Sequence, residues 1–110
     1  MARYLFQLAY TPEAWAAQLQ NPQNRIEALT PVLEGLGGRF ECAYFAFGDY
    51  DLVGVVELPD NVSASAFALV GLAGGALKTY KTTPLMTIEE GLEAMRRGAT
   101  AGYRPPTAQG

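Results

Sequence analysis

Two neighbouring stretches constrain this chain most: RFECAYFAF, residues 39–47, and DLVGVVEL, residues 51–58. Side chains of a strand alternate between its two faces, so a sheet covered on one side should read apolar and polar in turn. These stretches do not. In the second, Leu52, Val56 and Leu58 share one face, while Val53 and Val55 share the other with Glu57. In the first, simple alternation puts Phe40, Cys42 and Tyr44 on one face and Ala43, Phe45 and Phe47 on the other. Helices packed on one side leave the second apolar face bare, and a monomer rarely exposes a large apolar patch. A second copy of the same sheet is the simplest cover, because a twofold interface buries one patch against itself.

The remaining segments give these strands their setting. RYLFQLAY, residues 3–10, alternates as a strand, and Thr11-Pro12 then opens a helix with a cap and a proline at its first position. Pro22 breaks that helix. A second helical segment covers 24–36, with Ile26, Leu29, Leu33 and Leu36 at helical spacing, Pro31 inside it and Gly37-Gly38 behind it. Gly48-Asp49 reads as a hairpin turn. Asp60 or Asn61 caps a helix over 62–73, whose face of Val62, Ala66, Leu69, Val70 and Ala73 is expected on the sheet. ALKTYKTT forms a fourth strand ending at Pro84, and Thr87 with Glu90 makes a capping box for a last helix carrying Ile88, Leu92 and Met95. The order β-α-β-β-α-β plus a helix predicts an α+β, ferredoxin-like fold: a four-stranded antiparallel sheet, helices on one face and an extra C-terminal helix. Residues 1–97 form the domain and 98–110 a tail.

Composition narrows the chemistry. The 110 residues suit one domain, and the net charge of −3 with Arg96-Arg97 as the only arginine pair argues against nucleic acid. There is no histidine, which removes the commonest general base and the commonest transition-metal ligand, and excludes a nucleophile activated by histidine. A single cysteine, Cys42, permits no intrachain disulfide and points to a reducing compartment. No signal-peptide pattern opens the chain, and the apolar run 64–77 is too short to span a bilayer. The expectation is a cytoplasmic protein that binds no metal, cofactor, nucleic acid or membrane.

With these segments placed, FGDYDLVGVVELPD, the small-residue helix after it and GALKTYKTTPLMT resemble the GYD-domain family. Its hallmark glycine, variable residue, tyrosine and aspartate stand here as Gly48, Asp49, Tyr50 and Asp51; YTPE and LGG also fit, and the resemblance runs from about Tyr4 to Glu90. The hairpin is similar too to the effector-binding domain of leucine-responsive/AsnC-type regulators. Those domains share the ferredoxin-like fold and pair into dimeric α/β barrels, with effectors such as amino acids near subunit interfaces. The chain lacks their helix-turn-helix domain. Taken with the two apolar strand faces, the expectation is a non-enzymatic homo-oligomer, dimeric or higher, joined through the sheet face, with a small-molecule site near the interface. The alternative that the resemblance implies is a cofactor-independent enzyme of the dimeric α/β-barrel type, a monooxygenase or isomerase, working with Asp, Glu, Tyr or Arg.

The ligand-binding candidates are Tyr50, Asp51, Asp49, Tyr44 and Glu57. Asp51 suits a cationic or hydrogen-bonding group and Tyr50 an aromatic wall. Gly48 to Asp51 equally suits a plain turn whose aspartates bind local amides. Glu57, in an apolar strand, needs a partner if buried, and Arg3, Gln7 and Glu41 lie on neighbouring faces. Tyr4, Tyr10, Tyr44, Tyr80 and Trp15 suit either a cavity between sheet and helices or ordinary core. Lys78 and Lys81 suit a charged edge strand, or an anion site. Asp49, Asp51 and Glu57 lack calcium-loop spacing.

Overall fold

A computed structural model describes residues 1–106. Strands β1 (Ala2–Tyr10), β2 (Arg39–Phe45), β3 (Leu52–Leu58) and β4 (Leu77–Leu85) form one antiparallel sheet in the order β2-β3-β1-β4. Helices α1 (Pro12–Gln20) and α2 (Arg25–Gly35) connect β1 to β2, and α3 (Asn61–Ala73) connects β3 to β4. This is the α+β, ferredoxin-like arrangement. A further helix, α4 (Ile88–Ala99), follows β4. Residues 100–106 follow without regular structure, so helix occupies the start of the expected tail; 107–110 lie outside the described residues.

The helix ends obey local chemistry. The side chains of Thr11, Asn24, Asp60 and Thr87 each accept from a backbone N–H one turn ahead, and Thr87 with Glu90 completes the capping box. α2 ends in a left-handed residue, Gly37 at φ +83°, with the Gly38 N–H returning to the Leu33 carbonyl. Pro31 stays inside α2 without breaking it.

The core is the helix-side layer of the sheet. Tyr4, Phe6, Leu8, Leu52, Val56 and Leu58 are buried there with Leu33 of α2 and Ala64 and Phe67 of α3. β3 passes so close to its neighbours at Gly54 that a Cβ would strike the Cys42 carbonyl and stand 2.7 Å from the Phe6 ring.

Two face assignments differ from simple alternation. Glu41 sits in a bulge: Phe40 pairs with Val56 and Cys42 pairs with Val55. The extra residue flips the rest of β2. Cys42 and Tyr44 therefore join Val55 and Val53 on the helix-free face, and Ala43 and Phe45 join Gly54 and Leu52 on the helix side. The strand also stops at Phe45, short of Phe47. α3 turns Ala64 and Phe67 to the sheet, with Gly71 half-buried, while Val62, Leu69, Val70 and Ala73 of the expected stripe are exposed. That helix is apolar nearly all round, so spacing alone does not select a face, and the large Phe67 ring fills the space over Phe40.

The helix-free face reads as three cross-strand rows. Tyr44, Val53, Gln7 and Lys81 make one; Cys42, Val55, Leu5 and Thr83 the next; Arg39, Glu57, Arg3 and Leu85 the last. α4 does not cover it. That helix packs extensively on no other element, and its stripe of Ile88, Leu92 and Met95 is exposed. The protomer measures 63 × 31 × 22 Å, with a radius of gyration of 18.1 Å. A compact chain of this length would have about 13 Å.

Candidate functional site

The G-D-Y-D segment joins β2 to β3. Asp51 continues the sheet with its backbone: its N–H donates to the Leu8 carbonyl at 2.8 Å, and its carbonyl accepts from Ala46 at 2.9 Å. Its carboxylate turns to the end of β1. There a register shift between Ala9 and Tyr10 frees the Tyr10 N–H from the ladder. Asp51 Oδ2 accepts that N–H at 2.9 Å and the Trp15 indole N–H at 3.2 Å. One carboxylate thus ties β1, β3 and α1 together.

The other sequence candidates lie apart. Asp49 is exposed in the connection, and Tyr50 packs beside Lys81, whose ammonium lies 5.7 Å from the ring centroid. Tyr44 is exposed on the helix-free face. Glu57 is buried at the far end of that face, bracketed by Arg39 and by Arg3 at 3.5 Å, and Arg3 also holds Glu41 at 3.1 Å. A buried carboxylate needs such partners. The segment and Glu57 do not share a cavity. Lys78 and Lys81 do stand on an edge strand, β4. Among the described residues, no group of three or more Cys, Asp or Glu is placed to hold a metal ion, and no helix is long and apolar enough to cross a membrane.

A partly open space lies on the opposite side of the sheet, between it and α2 and α3. It has a volume of about 290 Å³. Phe6, Phe40, Phe67 and Tyr80 line it in a run of edge-to-face contacts, with ring centroids 5.9, 6.3 and 6.4 Å apart. Leu8, Leu29, Val32, Val70 and Leu77 complete the apolar wall. Its polar side chains are Tyr10, Arg25 and Tyr80. Of the five aromatics singled out from the sequence, Tyr10 and Tyr80 line this chamber. Tyr4 is buried in the core, its hydroxyl donating to Asn61 at 2.7 Å, and Trp15 packs edge-on to Tyr10 at 5.3 Å.

Burial pushes the phenol pKa of Tyr80 well up. Burial also raises that of Tyr10; the Arg25 guanidinium beside it pulls the other way without overcoming the rise, and Asp51 adds to it. Both phenols are neutral donors near neutral pH. Arg25 is the residue that sequence reasoning passed over. Its signal was faint: an arginine at the first position of a helix, where a cation opposes the helix dipole.

The chamber is therefore a hydrophobic space with hydrogen-bond donors and one cation, and no carboxylate or thiol among the side chains lining it. No curated protein and no solved structure matches the chain significantly. A family profile described as GYD domain matches residues 4–95, from within β1 through β4 and into most of α4. The chain belongs to the GYD-domain family.

Proposed function

We propose that this GYD-domain protein is a non-enzymatic binding module, a homo-oligomer joined through the helix-free face of its sheet, and that each protomer holds a small molecule beneath α2 and α3. The observation carrying the binding reading is the chamber: an apolar volume of about 290 Å³ with a few fixed polar groups, at the small end of the range for ligand sites. The central row of the helix-free face, Cys42, Val55 and Leu5, supports the assembly. The unpartnered stripe of α4 supports it too, as an arm long enough to reach a second copy. The lone free thiol of Cys42 supports a reducing, cytoplasmic setting.

The Tyr10–Arg25 pair favours a second reading, a cofactor-independent monooxygenase or isomerase. Such an enzyme would use a tyrosine as base, and that role needs a lowered pKa. The rise at Tyr10 favours binding instead.

Native mass spectrometry on the protein as purified tests the proposal. The expected result is a dimer or larger assembly that sheds a small mass per chain on activation. A ligand-free monomer that takes up no added small molecule overturns it.

A further inference from the structure

The chamber is more selective than its apolar wall suggests. Arg25 stands at the first position of α2, and Asn24 before it already accepts the Ile26 and Glu27 N–H groups. The helix's positive end and the guanidinium charge therefore coincide, an arrangement that favours an anion close by. Glu27 supplies a carboxylate to that first turn, but it makes no ion pair with Arg25 among the described residues. Arg3, Arg39, Arg96 and Arg97 each hold a carboxylate, whereas Arg25 has none within ion-pair distance among the described residues and donates to the Gln23 side-chain carbonyl at 3.3 Å. Arg25 is half-buried at the chamber wall beside the neutral Tyr10 phenol. Tyr80 presents another hydroxyl to the same space, and that hydroxyl makes no hydrogen bond among the described residues. The nearby carboxylate of Asp51 is committed to the Tyr10 and Trp15 N–H groups.

A ligand that satisfies this wall has two parts. Its body is apolar and small, since the chamber holds about ten water-sized volumes at roughly 30 Å³ each. Its head is an anion with more than one acceptor, which a planar guanidinium binds with two parallel N–H groups. We propose that the chamber binds a small monocarboxylic acid, aliphatic or aromatic, with its carboxylate on Arg25 and its body among Phe6, Phe40, Phe67 and Val70. A cationic ligand meets only like charge at that wall. A neutral one leaves Arg25 unpaired.

This inference rests on the binding reading above, and its test separates the two. The full chain, wild type and Arg25→Gln, is titrated with octanoate, 1-octanol and octylammonium while the methyl resonances of Leu29, Val70 and Leu77 are followed. Octanoate is expected to shift them and saturate at one site per chain. Arg25→Gln is expected to weaken octanoate at least about tenfold, the worth of a charge-assisted hydrogen-bonded pair, and to leave octanol binding unchanged. The octanol result and the melting curve show that the variant keeps its fold and its chamber. If octanol binds as well as octanoate and Arg25→Gln changes neither, or if octylammonium binds best, the acid assignment falls and the binding module stands. If none of the three moves those methyls, the chamber is not a ligand site and both fall.

Discussion

Asp51 accepts two hydrogen bonds that have no other home. The Tyr10 N–H has left the β-ladder at the bulge, and the Trp15 indole N–H is part-buried. Truncating the acceptor strands both part-buried donors, and a stranded donor costs up to about 1–3 kcal/mol when water cannot replace the partner. Asp51→Ala is therefore expected to destabilise by about 2–4 kcal/mol in urea unfolding. Asp51→Asn keeps an acceptor oxygen and should cost less than half as much. Equal losses in the two variants would mean that charge, not hydrogen bonding, is what Asp51 supplies. Gly54→Ala is a second residue-scale expectation: a methyl facing the Cys42 carbonyl and the Phe6 ring forces strands apart, at about 1–3 kcal/mol by the same assay. The importance of Asp51 was legible in the sequence as a tyrosine–aspartate pair at a hairpin, but its partners were not. They come from β1 and α1, some forty residues away, and only the sheet brings them together. Arg25 was hidden for the complementary reason: what marks it is the lack of an ion-pair partner among the described residues, and that is a property of three dimensions.

Elements whose ends depend on local chemistry were readable; faces that depend on pairing were not. The capping box of α4 joins residues three apart and could be read directly as Thr87 and Glu90. The bulge at Glu41 answers to the spacing of β3, so alternation along β2 alone assigned Tyr44 to the wrong face. The same box predicts how α4 responds to acid. Hydrogen bonding to Thr87 lowers the Glu90 pKa in the folded state. Its contribution is present above the unfolded pKa and disappears as pH falls through the lower folded value. Far-UV circular dichroism should show α4 fraying as pH drops through and below the ordinary carboxylate range. Because α4 packs extensively on no other element, the near-UV signal of the body should hold. Thr87→Ala should fray α4 at neutral pH, costing about 1 kcal/mol locally. Loss of the near-UV signal along with α4 would show that the body depends on that helix, against the geometry seen here.

At the scale of the molecule, the fold order was written in the sequence, and so was the prospect of a second apolar sheet face. The face proved more graded than expected: its apolar row is flanked on one side by Arg39, Glu57 and Arg3 and on the other by Gln7 and Lys81. If that row joins two copies, Val55→Asp should abolish assembly in light scattering, because a burial-dependent row cannot hide an unpaired carboxylate. Phe45→Asp, now on the helix side and exposed, should leave assembly intact. Equal effects would place the interface elsewhere. The projecting α4 has one more consequence, for X-rays scattered by the protein in solution. A compact chain of twice this length has a radius of gyration of about 17 Å, already below the 18.1 Å of the lone protomer. Two protomers that fold their arms onto each other would thus double the forward scattering while the radius barely moves, and mass rather than size is the quantity that would reveal the pair.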